Sequence, residues 1–362
     1  MPVKFKNIGI ATLTISLCLV ACSPSASVVA TELPTLISSN SPIPSTITPV
    51  PLDMAPTPTI SRDAPVLKYN SWEIIHDLTY SPNGQLLAVS AGEHVYLYDA
   101  ATLVEQFDLP IGAWANRLAF HPSLPLIVLA VRDGTIQFWD TTTGDLRCQF
   151  IAHKKGANSL AINPDGSMLV STGSEIISRL WNISSLASGG CDIIENGQLI
   201  GGSFSSPDVA FDIDGKRFAL VDRTNVRLRN SSDLKLIASL PGDLPIFDIA
   251  FSPDDRWLAA AEYHDTITLW DLTQPASMRP KILQPLNPDS KLFTWRVAFS
   301  PDSQLLAAGA SDGTLTLWDL STLQPLTTHH LPRAVSALSF SPDGKYLAAC
   351  GLDAQIRLFQ VP

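Results

Sequence analysis

The chain repeats one pattern of apolar and polar positions seven times. Each copy has an apolar run, a polar turn, a second apolar run, another turn and a third run. The first run ends at Tyr80, Phe120, Ile162, Phe211, Phe251, Phe299 and Phe340. A matching position in the third run follows 18 or 19 residues later, at Tyr98, Trp139, Trp181, Arg229, Trp270, Trp318 and Phe359. A spacing this constant predicts a rigid unit, because loops tolerate insertions and packed strands do not.

The apolar runs within each copy predict β-strands. In the sixth copy, "LLAAGA" (305–310) and "TLTLWDL" (314–320) are bounded by the turn formers "SPDS" and "SDG". With the run before them and a short run after them, such as "LQPLTTHH", each copy would form a four-stranded sheet. A small sheet that is apolar on both faces cannot bury itself, whereas sheets stacked around an axis cover one another. We therefore predict an all-β fold of seven such sheets.

The pattern "FSPDG…LA…SDGT…LWD" resembles the Trp-Asp (WD) repeat family. The resemblance implies a seven-bladed β-propeller with four antiparallel strands in each blade, over residues 64–362. The last copy ends after its third strand at "IRLFQVP", and "APVLKYN" (64–70) precedes the first copy. We expect this N-terminal strand to complete the last blade, because pairing it there closes the ring and leaves no open edge.

The resemblance also implies a polar network inside a blade, joining a His, a Ser or Thr, an acidic residue and the Trp. The third copy comes closest, with His153, Ser171, Glu175 and Trp181 at the matching positions. We interpret these four residues as structural. The fourth copy departs most, since Arg229 stands where the Trp is expected.

The first 21 residues predict a signal peptide. Basic "MPVKFK" precedes 14 residues of "IGIATLTISLCLVA", too few to cross a bilayer as a helix. "LVAC" resembles the lipobox of bacterial lipoproteins, which implies cleavage after residue 21 and lipidation of Cys22; a chance Cys near an ordinary cleavage site is the alternative. Residues 22–63 are rich in Ser, Thr and Pro, which predicts a disordered tether. We therefore expect a lipid-anchored protein on the extracytoplasmic face of the cell membrane.

Charge and cysteine content narrow the choice of partners. The formal net charge is −10, and no basic stripe suited to a phosphate backbone is present, so nucleic acid is not expected as a partner. Beyond the predicted lipobox the cysteines are Cys148, Cys191 and Cys350, whose spacing fits no metal motif. We interpret all three as buried thiols, with a Cys148–Cys191 bridge as the alternative, and expect a monomer.

No catalytic or cofactor motif is recognisable: the chain has no phosphate loop, dinucleotide fingerprint, His-Glu-x-x-His or nucleophile elbow. One turn position, six residues before the Trp position, gathers Gly92, Asp133, Glu175, Arg223, His264, Asp312 and Asp353. Short acidic side chains in tight turns accept bonds from backbone N–H groups, and we favour this interpretation over a ring of metal ligands. We predict no catalytic residue, no cofactor and no metal.

A second position, four residues before the end of the first run, differs in most copies, as expected where packing does not dictate the residue. Together with nearby loop residues it suggests a binding face, for which the candidates are Trp72, His76, Trp114, Asn116, Arg132, Phe247, Tyr263, His264 and Trp295. The alternative is that Trp114, Phe247 and Trp295 fill the channel or pack under loops.

Two functions remain open from the sequence. The first is a non-catalytic, membrane-anchored lipoprotein that binds a protein, a peptide or a glycan through the propeller face; the family resemblance implies the scaffolding role. The second is an exported, hydrolase-like enzyme with a metal or carboxylate site at the mouth of the channel.

Overall fold

The computed structural model describes residues 67–68, 74–175, 177–200, 208–273, 280–283 and 293–362. These residues form seven four-stranded antiparallel sheets. The innermost strands of consecutive sheets contact one another all the way round, and the first contacts the last. The predicted seven-bladed β-propeller is therefore confirmed.

In blades one to four, each sheet runs in chain order from its innermost to its outermost strand. Blade one has β2 (Ile75–Tyr80), β3 (Leu86–Ala91), β4 (His94–Asp99) and β5 (Glu105–Pro110). Blade two has β6 (Ala115–Phe120), β7 (Leu126–Val131), β8 (Thr135–Asp140) and β9 (Leu146–Ile151). Blade three has β10 (Ala157–Ile162), β11 (Met168–Gly173), β12 (Ile177–Asn182) and β13 (Ile194–Ile200). Blade four has β14 (Val209–Phe211), β15 (Arg217–Asp222), β16 (Asn225–Asn230) and β17 (Leu236–Pro241).

Blades five and six follow the same order, and blade seven borrows its outer strand. Blade five has β18 (Ile246–Phe251), β19 (Trp257–Glu262), β20 (Ile267–Asp271) and β21 (Lys281–Leu283). Blade six has β22 (Thr294–Phe299), β23 (Leu305–Ala310), β24 (Thr314–Asp319) and β25 (Gln324–His330). Blade seven has β26 (Val335–Phe340), β27 (Tyr346–Gly351), β28 (Gln355–Gln360) and, outermost, β1 (Leu67–Lys68).

The N-terminal strand closes the ring, as the sequence predicted. Leu67 pairs with Ile356 and Lys68 with Gln355, so β1 lies antiparallel to β28 in blade seven. The two extremities of the propeller thus belong to one sheet.

The hydrophobic core lies between blades. One cluster joins Ile75 and Val89 of blade one to Ala348 and Ile356 of blade seven. The other clusters likewise unite residues of neighbouring blades. Strand β7 is buried on both faces along its whole length, which a single sheet in water could not achieve. Each blade therefore depends on its neighbours for burial.

The fourth copy forms a complete four-stranded blade despite its divergent sequence. Arg229 replaces the Trp, and its Nη1 donates to the carbonyl of Leu234 at 2.8 Å, which satisfies part of the guanidinium. Among the described residues there is a single helical element, a short 3₁₀ helix (Ser184–Ser188). No helix within these ranges is long and apolar enough to span a bilayer.

The interpretation of all three cysteines as buried thiols is wrong for two of them. Cys148 and Cys191 form a disulfide, while Cys350 is a buried free thiol. Cys148 lies on β9, the outer strand of blade two, and Cys191 precedes β13, the outer strand of blade three. Stacking of the two blades brings residues that are 43 positions apart to a Cα–Cα distance of 6.4 Å.

Candidate functional site

The four candidates for the polar network lie together in blade three. His153 Nδ1 lies 3.0 Å from Glu175 Oε1, and His153 Nε2 lies 2.8 Å from Ser171 Oγ. Trp181 Nε1 donates to Ser171 Oγ at 2.9 Å. These bonds link His153, which leads into the blade, with Glu175 in the turn, with Ser171 on the second strand and with Trp181 on the third strand.

The hydrogen-bond geometry assigns the proton positions in this network. Because Glu175 can only accept, Nδ1 of His153 carries the proton; Nε2 then accepts from the Ser171 hydroxyl, whose oxygen accepts from Trp181. Burial lowers the pKa of His153, against the opposing effect of Glu175, which agrees with a neutral ring. Both ring nitrogens of His153, the Ser171 hydroxyl and the Trp181 indole are thus paired without a charge on the imidazole, whereas Glu175 Oε2 is buried without a partner among the described residues.

Other blades lack this network, within the residues that the structure describes. The indole nitrogens of Trp270 and Trp318 are buried without a partner there, and Ala260 and Ala308 occupy the position of Ser171. In blade two the indole nitrogen has a different partner, because Trp139 Nε1 donates to Gln137 Oε1 at 2.9 Å. Packing carries more of the stability in those blades.

Blade five has a large residue where blade three has a glycine, and a glycine where blade three has a histidine. In blade three a Cβ added to Gly173 would lie 2.3 Å from the His153 ring, so glycine makes room for histidine. In blade five Glu262 stands at the glycine position and Gly242 at the histidine position, and a Cβ on Gly242 would lie 2.7 Å from Glu262 Oε1. Burial raises the pKa of Glu262 to about 7. The Glu262 carboxyl lines a side cavity of about 310 Å³.

A larger cavity of about 400 Å³ opens where the innermost strands begin. Four of the binding-face candidates line it: His76, Asn116, Arg132 and Phe247. They come from blades one, two and five, so the cavity spans the mouth of the channel. Its other lining residues are mostly polar or charged, and they are Arg117, Lys155, Gly156, Asn158, Ser159, Ser174, Asp208, Asp248 and Arg296.

Sequence reasoning found Arg132 but missed the charged residues near the start of the innermost strands. They occupy the position three residues before the end of the first run, one place after the position chosen from the sequence. This position holds Asp77, Arg117, Ser159, Asp208, Asp248, Arg296 and Ala337. The signal was present in the repeat alignment, because charged residues recur there in a segment predicted to be a buried strand.

Arg117 is the centre of a buried ion cluster. Its Nη1 lies 3.0 Å from Asp248 Oδ1, and its Nη2 lies 3.6 Å from Asp208 Oδ2. Ser159 Oγ donates to Asp208 Oδ1 at 2.5 Å. Burial opposes the ionisation of Asp208, but Arg117 and this hydrogen bond hold its pKa below the usual range. Burial and the adjacent Asp208 raise the pKa of Asp248 to about 7 despite Arg117.

The buried aspartates also tie neighbouring blades together. Asp77 Oδ2 accepts from the backbone N–H of Leu118 at 2.8 Å, joining blade one to blade two. Asp208 and Asp248 do the same for the next blades, through the backbone N–H groups of Ile249 and Val297, each at 2.9 Å. These carboxylates therefore have a structural role beneath the cavity.

Two aromatic clusters flank the mouth. In the first, the rings of His76 and Trp114 lie 4.9 Å apart, and the guanidinium carbon of Arg132 lies 5.0 Å from the Trp114 ring centre. Trp114 is 37% exposed.

The second aromatic cluster belongs to blades five and six. The rings of Tyr263 and Phe293 lie 4.7 Å apart, with Phe247 at 5.8 Å from Phe293 and exposed His264 at 5.0 Å from Tyr263. The structure thus gathers six of the sequence candidates into two groups, of which His76, Arg132 and Phe247 line the cavity at the channel mouth and His264 lines the side cavity.

The remaining candidates differ in their surroundings. The Asn116 amide donates to the carbonyl of Ala157 at 2.8 Å, so it bridges blades two and three as well as lining the cavity. Trp295 is half-buried at the start of β22. Trp72 and Cys22 lie outside the described residues.

Two of the acidic turn residues, Asp133 and Asp312, bond to their own turns, whereas Glu175 bonds to His153 and Asp353 to Arg357. Asp133 Oδ1 accepts from the N–H of Thr135, and Asp312 Oδ1 from that of Thr314, both at 2.8 Å. Across the described ranges, no three His, Cys, Asp or Glu side chains are grouped so that they could hold a metal ion.

Four segments of the chain match the family model "WD domain, G-beta repeat": residues 144–182, 234–271, 287–319 and 321–360. These four segments are WD repeats. Three of the WD repeats begin with the outer strand of one blade and end with the third strand of the next. A WD repeat therefore straddles two blades and links them covalently.

Parts of the chain are similar to curated proteins. A stretch of 70 residues is 40% identical to striatin from Homo sapiens and 39% identical to striatin-3 from Rattus norvegicus, covering 19% of this chain and 9% of each relative. A stretch of 182 residues is 23% identical to the small ribosomal subunit protein RACK1y from Oryza sativa subsp. japonica. That match covers 50% of this chain and 38% of the relative, so the chain spans well under half the length of these relatives.

Proposed function

We propose that this protein is a non-catalytic scaffold that binds a protein or peptide partner through the face of its propeller at the channel mouth. The observation that carries the proposal is the pair of aromatic clusters beside one polar cavity. WD-repeat propellers typically serve as protein-interaction scaffolds, which agrees with this assignment.

The chemistry of this face suits a protein interface. Interface centres are enriched in aromatic residues and arginine, which supply large contact areas and directed hydrogen bonds. Trp114 and Arg132 on one side and Phe247 and Tyr263 on the other provide such residues around the cavity. The buried groups beneath them are held by their own bonds, so the face is built on a rigid support.

The face can be tested by affinity capture of the full-length, C-terminally tagged protein from its native envelope. The double variant Trp114→Ala, Phe247→Ala removes one aromatic anchor from each cluster and is expected to lose the partner. The control is Leu236→Ala, Leu326→Ala, which truncates two exposed apolar residues on the outer strands of blades four and six. If the face variant and the wild type retain the same partners, the proposed surface is wrong.

We also propose that the scaffold is anchored by a lipid on Cys22, on the extracytoplasmic face of the membrane, with residues 22–63 as its tether. The Cys148–Cys191 disulfide supports export, because disulfides persist in oxidising compartments and are rare in reducing ones. Two or more acyl chains would hold the protein stably, since one chain binds only reversibly.

The anchor is tested by fractionation and by labelling with a fatty-acid analogue. Wild-type protein is expected in the membrane fraction with the label attached, whereas Cys22→Ala is expected to lose the label. An unlabelled wild-type protein would contradict lipidation, and equal labelling of Cys22→Ala would place the modification elsewhere.

A further inference from the structure

The cavity at the channel mouth has more positive than negative charge. Four cationic side chains line it, whereas its carboxylates are Asp208 and Asp248. Both carboxylates face Arg117, at 3.6 and 3.0 Å. The three other cations, Arg132, Lys155 and Arg296, therefore make the electrostatic potential at the opening positive.

Among the described residues, none of these three cations has a carboxylate within salt-bridge distance, although the charge of Arg296 acts on the buried carboxylates Asp77 and Asp248. The Arg296 guanidinium donates to the carbonyls of Trp295 at 3.2 Å and His76 at 3.4 Å. Arg132 stacks on Trp114, and Lys155 is exposed. Although the chain is acidic overall, these cations give the cavity a locally positive potential, which favours an anion.

Two buried nitrogen atoms of the lining also lack a partner. Arg296 Nε and His76 Nε2 are inaccessible to solvent and make no hydrogen bond to any described residue. Buried polar atoms without partners are uncommon in native proteins, because each costs free energy. Burial and the charges of Arg132 and Arg296 lower the pKa of His76 to about 4, so the positive potential reaches the ring.

We propose that this cavity binds a carboxylate of an acidic peptide segment, with Arg296, Arg132 and Lys155 as its cationic partners. The proposal rests on the proposed function for the protein nature of the partner. A guanidinium presents paired N–H groups that match the two oxygens of a carboxylate. A volume of about 400 Å³ accommodates side chains and excludes a folded domain.

The surroundings favour a peptide over an acidic sugar. Sugars stack on open aromatic faces, but Arg132 already covers one face of Trp114. Phe247 lines the cavity and Trp114 contacts two lining residues, which gives an apolar border for the side chains beside the acidic residue. A segment with alternating acidic and apolar residues therefore fits this site.

The test measures binding of a short fluorescein-labelled peptide of alternating glutamate and leucine to the full-length protein by fluorescence anisotropy at low ionic strength. A peptide with glutamine in place of glutamate is the neutral control. The double variant Arg132→Gln, Lys155→Gln removes two exposed cations at the cavity. The matched control, Lys235→Gln, Lys345→Gln, removes two cations that are 81% and 72% exposed in remote turns and changes the net charge equally.

The wild type is expected to bind the acidic peptide at least about tenfold more tightly than the neutral peptide. The cavity variant is expected to lose about tenfold in affinity and the remote variant less than about twofold, because the effect is local. Equal affinity for the two peptides, or equal losses in the two double variants, would overturn the proposal. So would a polyuronate oligosaccharide that binds with the same variant dependence in place of the peptide.

This test separates the inference from the proposed function. Loss of the native partner in Trp114→Ala, Phe247→Ala, together with failure of the acidic peptide to bind, would end the inference and leave the binding face standing. Thermal melting of each variant shows whether the propeller remains folded.

Discussion

The substitution Ser171→Ala tests whether the polar network of blade three stabilises the propeller. Ser171 is fully buried, and its hydroxyl joins His153 to Trp181. Alanine fits the same space but removes both bonds at once. The variant changes no charge, so its effect reports on hydrogen bonding inside the blade.

The expected loss follows from the two groups that the variant leaves unpaired. A buried polar group deprived of its partner costs about 1–3 kcal/mol. The indole of Trp181 belongs at the low end, since Trp270 and Trp318 already lack a partner in the described structure and the fold tolerates them. We therefore expect Ser171→Ala to lower the free energy of unfolding by about 2–4 kcal/mol.

Urea denaturation monitored by circular dichroism measures this difference as a shift in midpoint at unchanged slope. The control is Ser188→Ala, which removes an exposed hydroxyl that donates to the carbonyl of Ser185, and it is expected to change stability by less than about 0.5 kcal/mol. A Ser171→Ala variant as stable as this control would refute the reasoning. The network would then contribute geometry without stability.

Three further predictions concern other parts of the propeller. Cys148→Ser opens the 43-residue loop closed by Cys191 and should lower the free energy of unfolding by about 2–4 kcal/mol; an unchanged melting temperature of the wild type under reducing conditions would contradict this. The pKa of His76 falls from 6.5 to about 4 on folding, so its contribution to stability is present above pH 6.5 and is lost as the pH falls towards 4. His76→Gln should therefore show a smaller drop in urea midpoint over this pH range than the wild type. If the variant and the wild type have the same pH profile, this prediction is wrong. Gly134→Ala would place a Cβ 1.8 Å from the His153 carbonyl at a φ of +97°, so a loss of more than about 1 kcal/mol is expected, and wild-type stability would contradict the steric argument.

The fold could be predicted because blade packing fixes the spacing of residues within each copy. An inserted residue would move every later side chain of a strand to the opposite face, so the intervals within blades stay constant. The same logic located β1, since the seventh copy lacked its outer strand. Even the divergent Arg229 copy kept this spacing and formed a blade.

The candidate site was only partly predictable, because contacts across blades leave no fixed spacing in the sequence. The search for variable residues found His76 and Phe247 but passed over the charged position immediately after them. The sequence offered the Cys148–Cys191 bridge as an alternative but could not decide it, because the repeat pattern does not encode the distance between an outer strand and the segment that precedes the next outer strand. Likewise, blade five has a glycine at Gly242 and its large residue at Glu262, the reverse of blade three. That these two residues lie next to each other becomes visible only in the folded structure.

The position of β1 has a mechanical consequence. Among the described residues, Leu67 and Lys68 pair with β28, and β1 comes from the opposite end of the chain to the rest of its sheet, whereas the other outer strands belong to the continuous meander of their own blade. Tension on the N-terminal segment would therefore reach this seam before any other part of the ring. Peeling it away would uncover the edge of β28, a surface ready to accept a strand from another chain.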